Sequence, residues 1–427
     1  MAQLSAVSSS RVPILRRLRN HVMVFLAVLG PGFITAVVDN DSGGIFTYSQ
    51  AGARWGYLPL WTLLPITVVL ILTQEMCSRM GAVTGKGLSD LIREEFGLRM
   101  TFIVMLLLVA VNFLNIMSEF AGVASSLGLF NVSPLICVPL AGVLVWFLAV
   151  RGNYASVEKI FLFACVIYIG YIISGFLVKP DWKTAALYSV RPKLMLDSDY
   201  IAMLIGMVGT TIAPWMQFYL QAAVVEKGIS AKDYAQSRVE VIVGCIITSV
   251  IAFFIIVACA GAIWSVQPRD IKDSAEAALG LKPFGQYAFL LFAGGLLNAS
   301  VFAACILPLS TAYSVCEGLG FEHGVNKTWK EAPIFYWLYT LLIVGGAGVV
   351  LIPRFPLIQM ILISQVINGV LLPIVLVFMI LLINKKSLMK EWVSSPVYNW
   401  IAWATVVIMI GLTLAYAGIN IQDFLKS

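Results

Sequence analysis

The chain has 427 residues, of which 60% are hydrophobic and 12% charged, with a mean hydropathy of +0.92 and a net charge of +6. Such a composition excludes a soluble enzyme and a nucleic-acid binder and describes a polytopic membrane protein, whose solvent is the lipid bilayer. Apolar runs long enough to cross a bilayer, about 20 residues each, lie near 21–53, 57–80, 100–130, 133–150, 155–178, 199–226, 236–264, 284–312, 332–352, 356–383 and 397–420. The loops between these eleven spans are too short to fold alone, so 1–427 reads as one all-α integral membrane domain behind a short N-terminal segment, 1–20.

Lys and Arg set the orientation. With the N-terminus in the cytoplasm, 18 of the 28 basic residues fall inside, and seven of the other ten lie in the two longer outer loops, 179–198 and 265–283. That bias is the positive-inside pattern, and eleven spans then leave the C-terminus outside. The basic start, Arg11 to Arg19, has the charge of a signal peptide but no small-residue cleavage site follows it, so the first span reads as retained.

The first span carries the densest chemistry. Asp39, Asn40, Asp41, Ser42, Gly43 and Gly44 interrupt its apolar run. An ionised carboxylate at the bilayer centre costs about 2.5–3.5 kcal/mol on the lenient insertion scale, so such residues default to function. The glycines let the helix break and bare its carbonyls, which is tolerated only beside a polar cavity. Asp41 is the cation-facing candidate; Asp39 is either a second cation-facing acid or a vestibule or helix-end residue. In the second span Glu75 lies four residues before Arg79 and pairs with it structurally. The segment from Gly85 to Phe96 is amphipathic and reads as an interfacial helix or a polar connector. The third span sets Asn112, Asn115 and Glu119 on one helix face, and Glu119 is functional by the same default.

Proline at position 214 removes a backbone donor and clashes with the preceding turn, so the sixth span should break between Thr210 and Trp215. Spans one to five (21–178) and six to ten (199–383) thus form two groups, each opening on an interrupted helix, with an eleventh span (397–420) left over. Interrupted helices at matching places in two halves point to a secondary-transporter site. Ser364, Gln365 and Asn368 share one side of the tenth span, and Gly294, Gly295, Asn298 and Ser300 mark the eighth. Each lone amide is equally readable as interhelical glue. The seven cysteines stand singly and the only histidines, His21 and His323, lie at membrane edges. No His-built metal centre or nucleophile–base pair is available, so the chain is not read as an enzyme.

A carboxylate, freed carbonyls near Thr210 to Ala213 and amide oxygens form a hard donor set that suits Mg²⁺, Ca²⁺ or Mn²⁺ rather than Cu⁺ or Zn²⁺. Met216 brings a sulfur near the second break, though methionine in a membrane helix is usually packing. A carrier of amines or amino acids and a divalent-cation channel stay open at this point.

The chain resembles the NRAMP divalent-metal transporters. The likeness rests on Gly30-Pro31-Gly32-Phe33, Asp41-x-Gly43, Gln50-Ala51-Gly52-Ala53, Gly56-Tyr57 and Ala82-x-Thr84-Gly85-Lys86, then Tyr219-Leu220 and Ser364-Gln365-Val366. It implies a LeuT-type 5+5 inverted repeat with one extra helix, Asp41 as the metal-binding aspartate and Gln365 as a tenth-span ligand. The departures carry as much information. The family's Asp-Pro-Gly-Asn reads Asp41-Ser42-Gly43-Gly44, and its Met-Pro-His reads Ala213-Pro214-Trp215. Glu119 stands where a family acid lies, while a second acid is replaced by Gly122. Losing the thioether, the amide at Gly44 and the histidine is similar to the NRAMP-related magnesium transporters. The resemblance therefore implies a monomeric uptake carrier of a prokaryotic plasma membrane that prefers partly hydrated Mg²⁺, also carries Mn²⁺, needs no cofactor and is not strictly proton-coupled. Trp215 would shape its cavity. A proton-coupled Mn²⁺/Fe²⁺ carrier is the alternative.

Overall fold

The computed structural model describes residues 31–151, 165–325 and 327–426. The expected N-terminal segment, the start of the first span with Gly30, and the start of the fifth lie outside the described residues. Among those described, all regular structure is helical.

The first span is broken. Helix α1 (Pro31–Val38) stops where Asp39, Asn40 and Asp41 begin, and α2 (Ser42–Trp55) starts on Asp41 as its N-cap. A carboxylate accepting a backbone N–H is a favoured way to open a helix, and Asp41 Oδ1 takes the Gly44 N–H at 3.0 Å. A short 3₁₀ turn (Leu58–Thr62) leads into α3 (Leu63–Thr84), which ends on Gly85 in the left-handed region (φ 64°). Helix α4 (Leu88–Gly128) bends at Gly97 (φ 80°), so its first turns form the interfacial helix expected from the amphipathic segment and the rest forms the third span. Helices α5 (Pro134–Arg151) and α6 (Ile169–Leu177) carry the fourth and fifth spans, and α7 (Trp182–Val190) lies in the loop that follows.

The sixth span breaks where expected. Helix α8 (Ser198–Thr211) is separated from α9 (Pro214–Glu226) by Ile212 and Ala213, with Pro214 at the first turn of α9. Then follow α10 (Tyr234–Cys259), which runs into a π turn, α11 (Ala288–Leu319), α12 (Pro333–Val350), α13 (Leu357–Ile383) and α14 (Pro396–Lys426). Eight of the described helices are long and apolar enough to span, and two shorter apolar ones plus the broken first helix complete the expected eleven. Helix α11 exceeds the expected 284–312 by a full two turns at its C-terminal end.

The core sits where α4 packs along α11 and α13, with the two broken helices against them. Helices α1 and α2 both lean on α10. Helix α14 stays peripheral, and Trp400, Val407 and Leu414 project from it into the space the lipid would fill.

Candidate metal site

The two breaks meet at mid-height against α4 and α13. Asp41 and Glu119 of α4 are neighbouring carboxyls. Glu119 Oε2 accepts the Ser42 N–H at 3.3 Å, and Ser42 Oγ bonds the Ser118 carbonyl at 3.1 Å. Gln365 closes the other side. A Cβ on Gly43 would collide with its side-chain amide, so only glycine lets α13 approach the break this closely. The Gln365 amide donates to Ser364 Oγ (3.0 Å), and its oxygen accepts from Asn368 (2.9 Å). Asn368 and Asn115 exchange a reciprocal pair of hydrogen bonds, each 2.9 Å. The structure therefore gathers Asp41, Glu119, Gln365 and Asn115 into one buried network joining the first, third and tenth spans.

The sixth-span break faces the same network. Gly209 and Gly369 bring α8 and α13 so close that a Cβ on Gly209 would strike the Gln365 carbonyl. Thr210 follows directly. Its carbonyl lacks the usual helical donor four residues on, because that residue is Pro214. The Thr210 hydroxyl is buried with no hydrogen-bond partner. Ala213 is placed differently from Thr210. As the N-cap of α9, its carbonyl takes the Met216 N–H (3.1 Å) and the Gln217 side-chain amide (3.3 Å), so it is not a bare oxygen. Met216 is fully buried in the apolar core. Trp215 is the largest of the buried side chains, and it packs on Tyr219 with ring centroids 6.1 Å apart.

The missing third-span acid has a steric reason. A Cβ at Gly122 would collide with Ser300 Oγ and sit 2.6 Å from Ser42 Cβ. The two serines thus occupy the room a larger residue would need. Gly44 is likewise obligatory, since a Cβ there would lie 2.5 Å from the Asp39 carbonyl.

Asp39 directly follows the last residue of α1, as the helix-end reading has it, but it is only 2% exposed, unlike a vestibule residue, and neither of its carboxylate oxygens has a hydrogen-bond partner. Asn40, which sequence reasoning did not single out, is fully buried and its side-chain amide is equally unpartnered. Its signal was the uninterrupted polar run 39–42 inside an apolar helix. Among the described residues no cluster of three or more His, Cys, Asp or Glu side chains forms a ready metal cage. The donors gathered here are carboxylate, amide and carbonyl oxygens.

A cavity of about 1340 Å³ leads toward the network from the face that carries loops 179–198 and 265–283. It bottoms out where Gly206 meets Thr47 and Val366, a Cβ on Gly206 lying 3.9 and 3.5 Å from their methyl carbons. Arg54 lines this cavity, stacks on Trp55 (4.7 Å) and bridges Asp199 to Asp270, the latter at 2.8 Å. Gln50 holds the same loop through Asp270 (2.5 Å) and the Ile271 N–H (2.7 Å).

Known proteins resemble this chain in sequence and in fold. The chain is 25% identical over 403 residues to the divalent metal cation transporter MntH of Granulibacter bethesdensis, covering 91% of this chain and 87% of that protein. Against MntH of Yersinia pestis it is 25% identical over 418 residues, covering 95% and 97% respectively. The crystal structure of the Eremococcus coleocola manganese transporter superposes with a TM-score of 0.76 at 20% identity, over 99% of this chain and 90% of that one. The transporter MhsT, with L-phenylalanine bound, superposes less closely, with a TM-score of 0.59 at 14% identity over 91% and 97%. These likenesses fix the fold as the LeuT type. The profile of natural resistance-associated macrophage protein-like sequences matches residues 32–417, from α1 through α14, and the chain belongs to this Nramp family.

Proposed function

We propose that the protein carries divalent metal cations, Mn²⁺ among them, inward across a prokaryotic plasma membrane with its N-terminus in the cytoplasm. The observation that carries this reading is Asp41, a carboxylate at a helix break deep in an apolar span, beside Glu119 and under the Gln365 amide. Asp41 anchors the ion, with the Gln365 amide and the Thr210 carbonyl completing its oxygen shell directly or through water. Relatives named as divalent metal cation transporters and a neighbour named as a manganese transporter support Mn²⁺ as cargo. They give the expected magnesium preference no support.

Mg²⁺ as preferred cargo is a second reading, favoured by the donor set alone. Ala213 stands where a thioether ligand is expected and Met216 is packed in the core, so sulfur, which favours softer ions over Mg²⁺, is withdrawn. Trp215 and Gly122 stand where a histidine and an acid are expected, which favours uptake driven by the membrane potential. That potential supplies about 2.3 kcal/mol per charge per 100 mV, twice as much for a divalent ion.

Liposomes with an internal pH dye and an inside-negative potential test all three points. Saturable Mn²⁺ uptake is expected in the wild type, and its loss is expected in Asp41→Ala. Mg²⁺ that competes and is itself carried favours the second reading, whereas its failure to compete leaves the Mn²⁺/Fe²⁺ reading. Acidification in step with Mn²⁺ entry would establish proton coupling. An Asp41→Ala variant that transports normally would remove the proposed site.

A further inference from the structure

The break in the first span buries more negative charge than one anchoring aspartate accounts for. Asp39 lies two residues before Asp41 and its carboxylate is an electrostatic neighbour of Asp41, Tyr48 and Cys245 of α10. Both its oxygens are inaccessible and unpartnered. A buried carboxylate in that condition is costly, and proteins keep one only where something positive compensates it.

The surroundings of Asp39 offer no hydrogen-bond donor from its polar neighbour. The Tyr48 hydroxyl bonds Thr211 Oγ1 at 2.6 Å, and Thr211 Oγ1 donates its single hydrogen to the Met207 carbonyl at 2.7 Å. The hydrogen between them must come from Tyr48, so the Tyr48 oxygen presents only lone pairs to Asp39. Asn40 adds a fully buried amide oxygen that no group satisfies, while its backbone carbonyl is held by the Tyr168 hydroxyl at 2.7 Å. At position 44 the Asp39 carbonyl leaves no room for a side chain. Neither the Asn40 amide nitrogen nor any other group bonds the Asp39 carboxylate, so two carboxylate oxygens and an amide oxygen are left together without partners, a set that a metal cation matches.

We propose that Asp39 is the second anionic ligand of the divalent cation held by Asp41, with the Asn40 amide oxygen beside it. This rests on the divalent-cation reading above and deepens it. Asp39 adds a second carboxylate from the first-span break to Asp41, so the break itself supplies two negative charges to a divalent ion. Ligands at 39 and 40 make good the side chain that cannot exist at 44.

The test compares wild type, Asp39→Asn, Asp39→Glu, Asn40→Ala and Asp41→Asn, purified whole. It measures thermal melting with and without Mn²⁺ or Mg²⁺, and the half-saturation of uptake in liposomes. Asp39→Asn is expected to melt no lower than the wild type without metal, because it removes an unpartnered buried charge. It should nevertheless lose most of the metal-induced rise in Tm and need at least tenfold more cation for half-saturation. Asn40→Ala should raise half-saturation severalfold, and Asp39→Glu should regain part of the response lost in Asp39→Asn. The proposal is overturned if Asp39→Asn keeps the wild-type half-saturation and metal response while Asp41→Asn loses them. It is equally overturned if Asp39→Asn melts far lower without metal but keeps its metal response, the mark of a structural role. A wild type that neither binds nor carries either ion would instead overturn the functional reading, and this inference with it.

Discussion

At the residue scale, the site is specified as much by what is absent as by its charges. Gly122 shows how. Its Cβ would sit 2.6 Å from Ser42 Cβ and against Ser300 Oγ, so even the smallest side chain overpacks the first, third and eighth spans. Overpacking of this kind costs about 1–3 kcal/mol. Gly122→Ala is expected to lower Tm in detergent, and adding Ser300→Ala should recover part of the loss by vacating the nearer obstacle. A single variant as stable as wild type would show that the serines give way freely. Asp41 and Glu119 were legible in the sequence because a carboxylate in an apolar span is conspicuous by its desolvation cost. The occupancy of the Ala213 carbonyl by the Met216 N–H and the Gln217 side chain could not be read, because it is a capping detail that residue types alone do not disclose. Asn40 was passed over because an amide carries no charge to mark it, and its lack of partners is a tertiary fact.

At the scale of elements, both breaks could be read in advance because their causes are local. Pro214 has no N–H to give Thr210, and Asp41 caps the next helix, so each break is written into a few consecutive residues. The C-terminal extension of α11 could not be read. Its last turns, Tyr313 to Leu319, lose the apolar character of a span, yet they stay helical because Glu317 is held against Gly87 and Ser89 at the start of α4. Partners more than 220 residues away leave no local trace. The same reasoning makes Pro214 testable. Pro214→Ala restores an N–H four residues after Thr210, which allows the helix to close through Ile212 and takes the Thr210 carbonyl out of play. Metal-dependent stabilisation should fall at least fivefold in potency while Tm without metal holds or rises, since proline inside a helix costs about 3 kcal/mol. A variant with unchanged metal response would show that the carbonyl contributes nothing to binding.

At the scale of the whole molecule, the two faces of the described structure differ. The cavity lined by Arg54, Asp199 and Asp270 approaches the site from one side. On the opposite side a buried ionic cluster joins three elements. Arg79 of α3 pairs with Glu75 (3.2 Å), as its spacing suggested, and Tyr234 of α10 donates to the same carboxylate. Arg79 also reaches the carbonyls of Trp392 and Val393 at 3.2 and 3.4 Å, in the segment that follows α13. Under the carrier reading proposed above this face must open in turn, and a contact present in only one state biases the equilibrium by its own free energy. Arg79 is the side chain that crosses from α3 to that distant segment. Cys77 reports on it, being fully buried two residues before it with its thiol 3.8 Å from Gln217 Oε1. In a chain retaining Cys77 as its only cysteine, Arg79→Gln is expected to speed labelling by a hydrophilic maleimide at least fivefold. Removing one partner of a buried pair also destabilises by about 3–5 kcal/mol, so faster labelling could reflect simple loosening. The double variant Glu75→Gln/Arg79→Gln separates the two effects, because it leaves no unpaired charge behind. It should regain most of the lost Tm yet label as fast as Arg79→Gln, since the link to residues 392 and 393 stays broken. If the double variant recovers both stability and protection of Cys77, the cluster is packing and does not control access from this face.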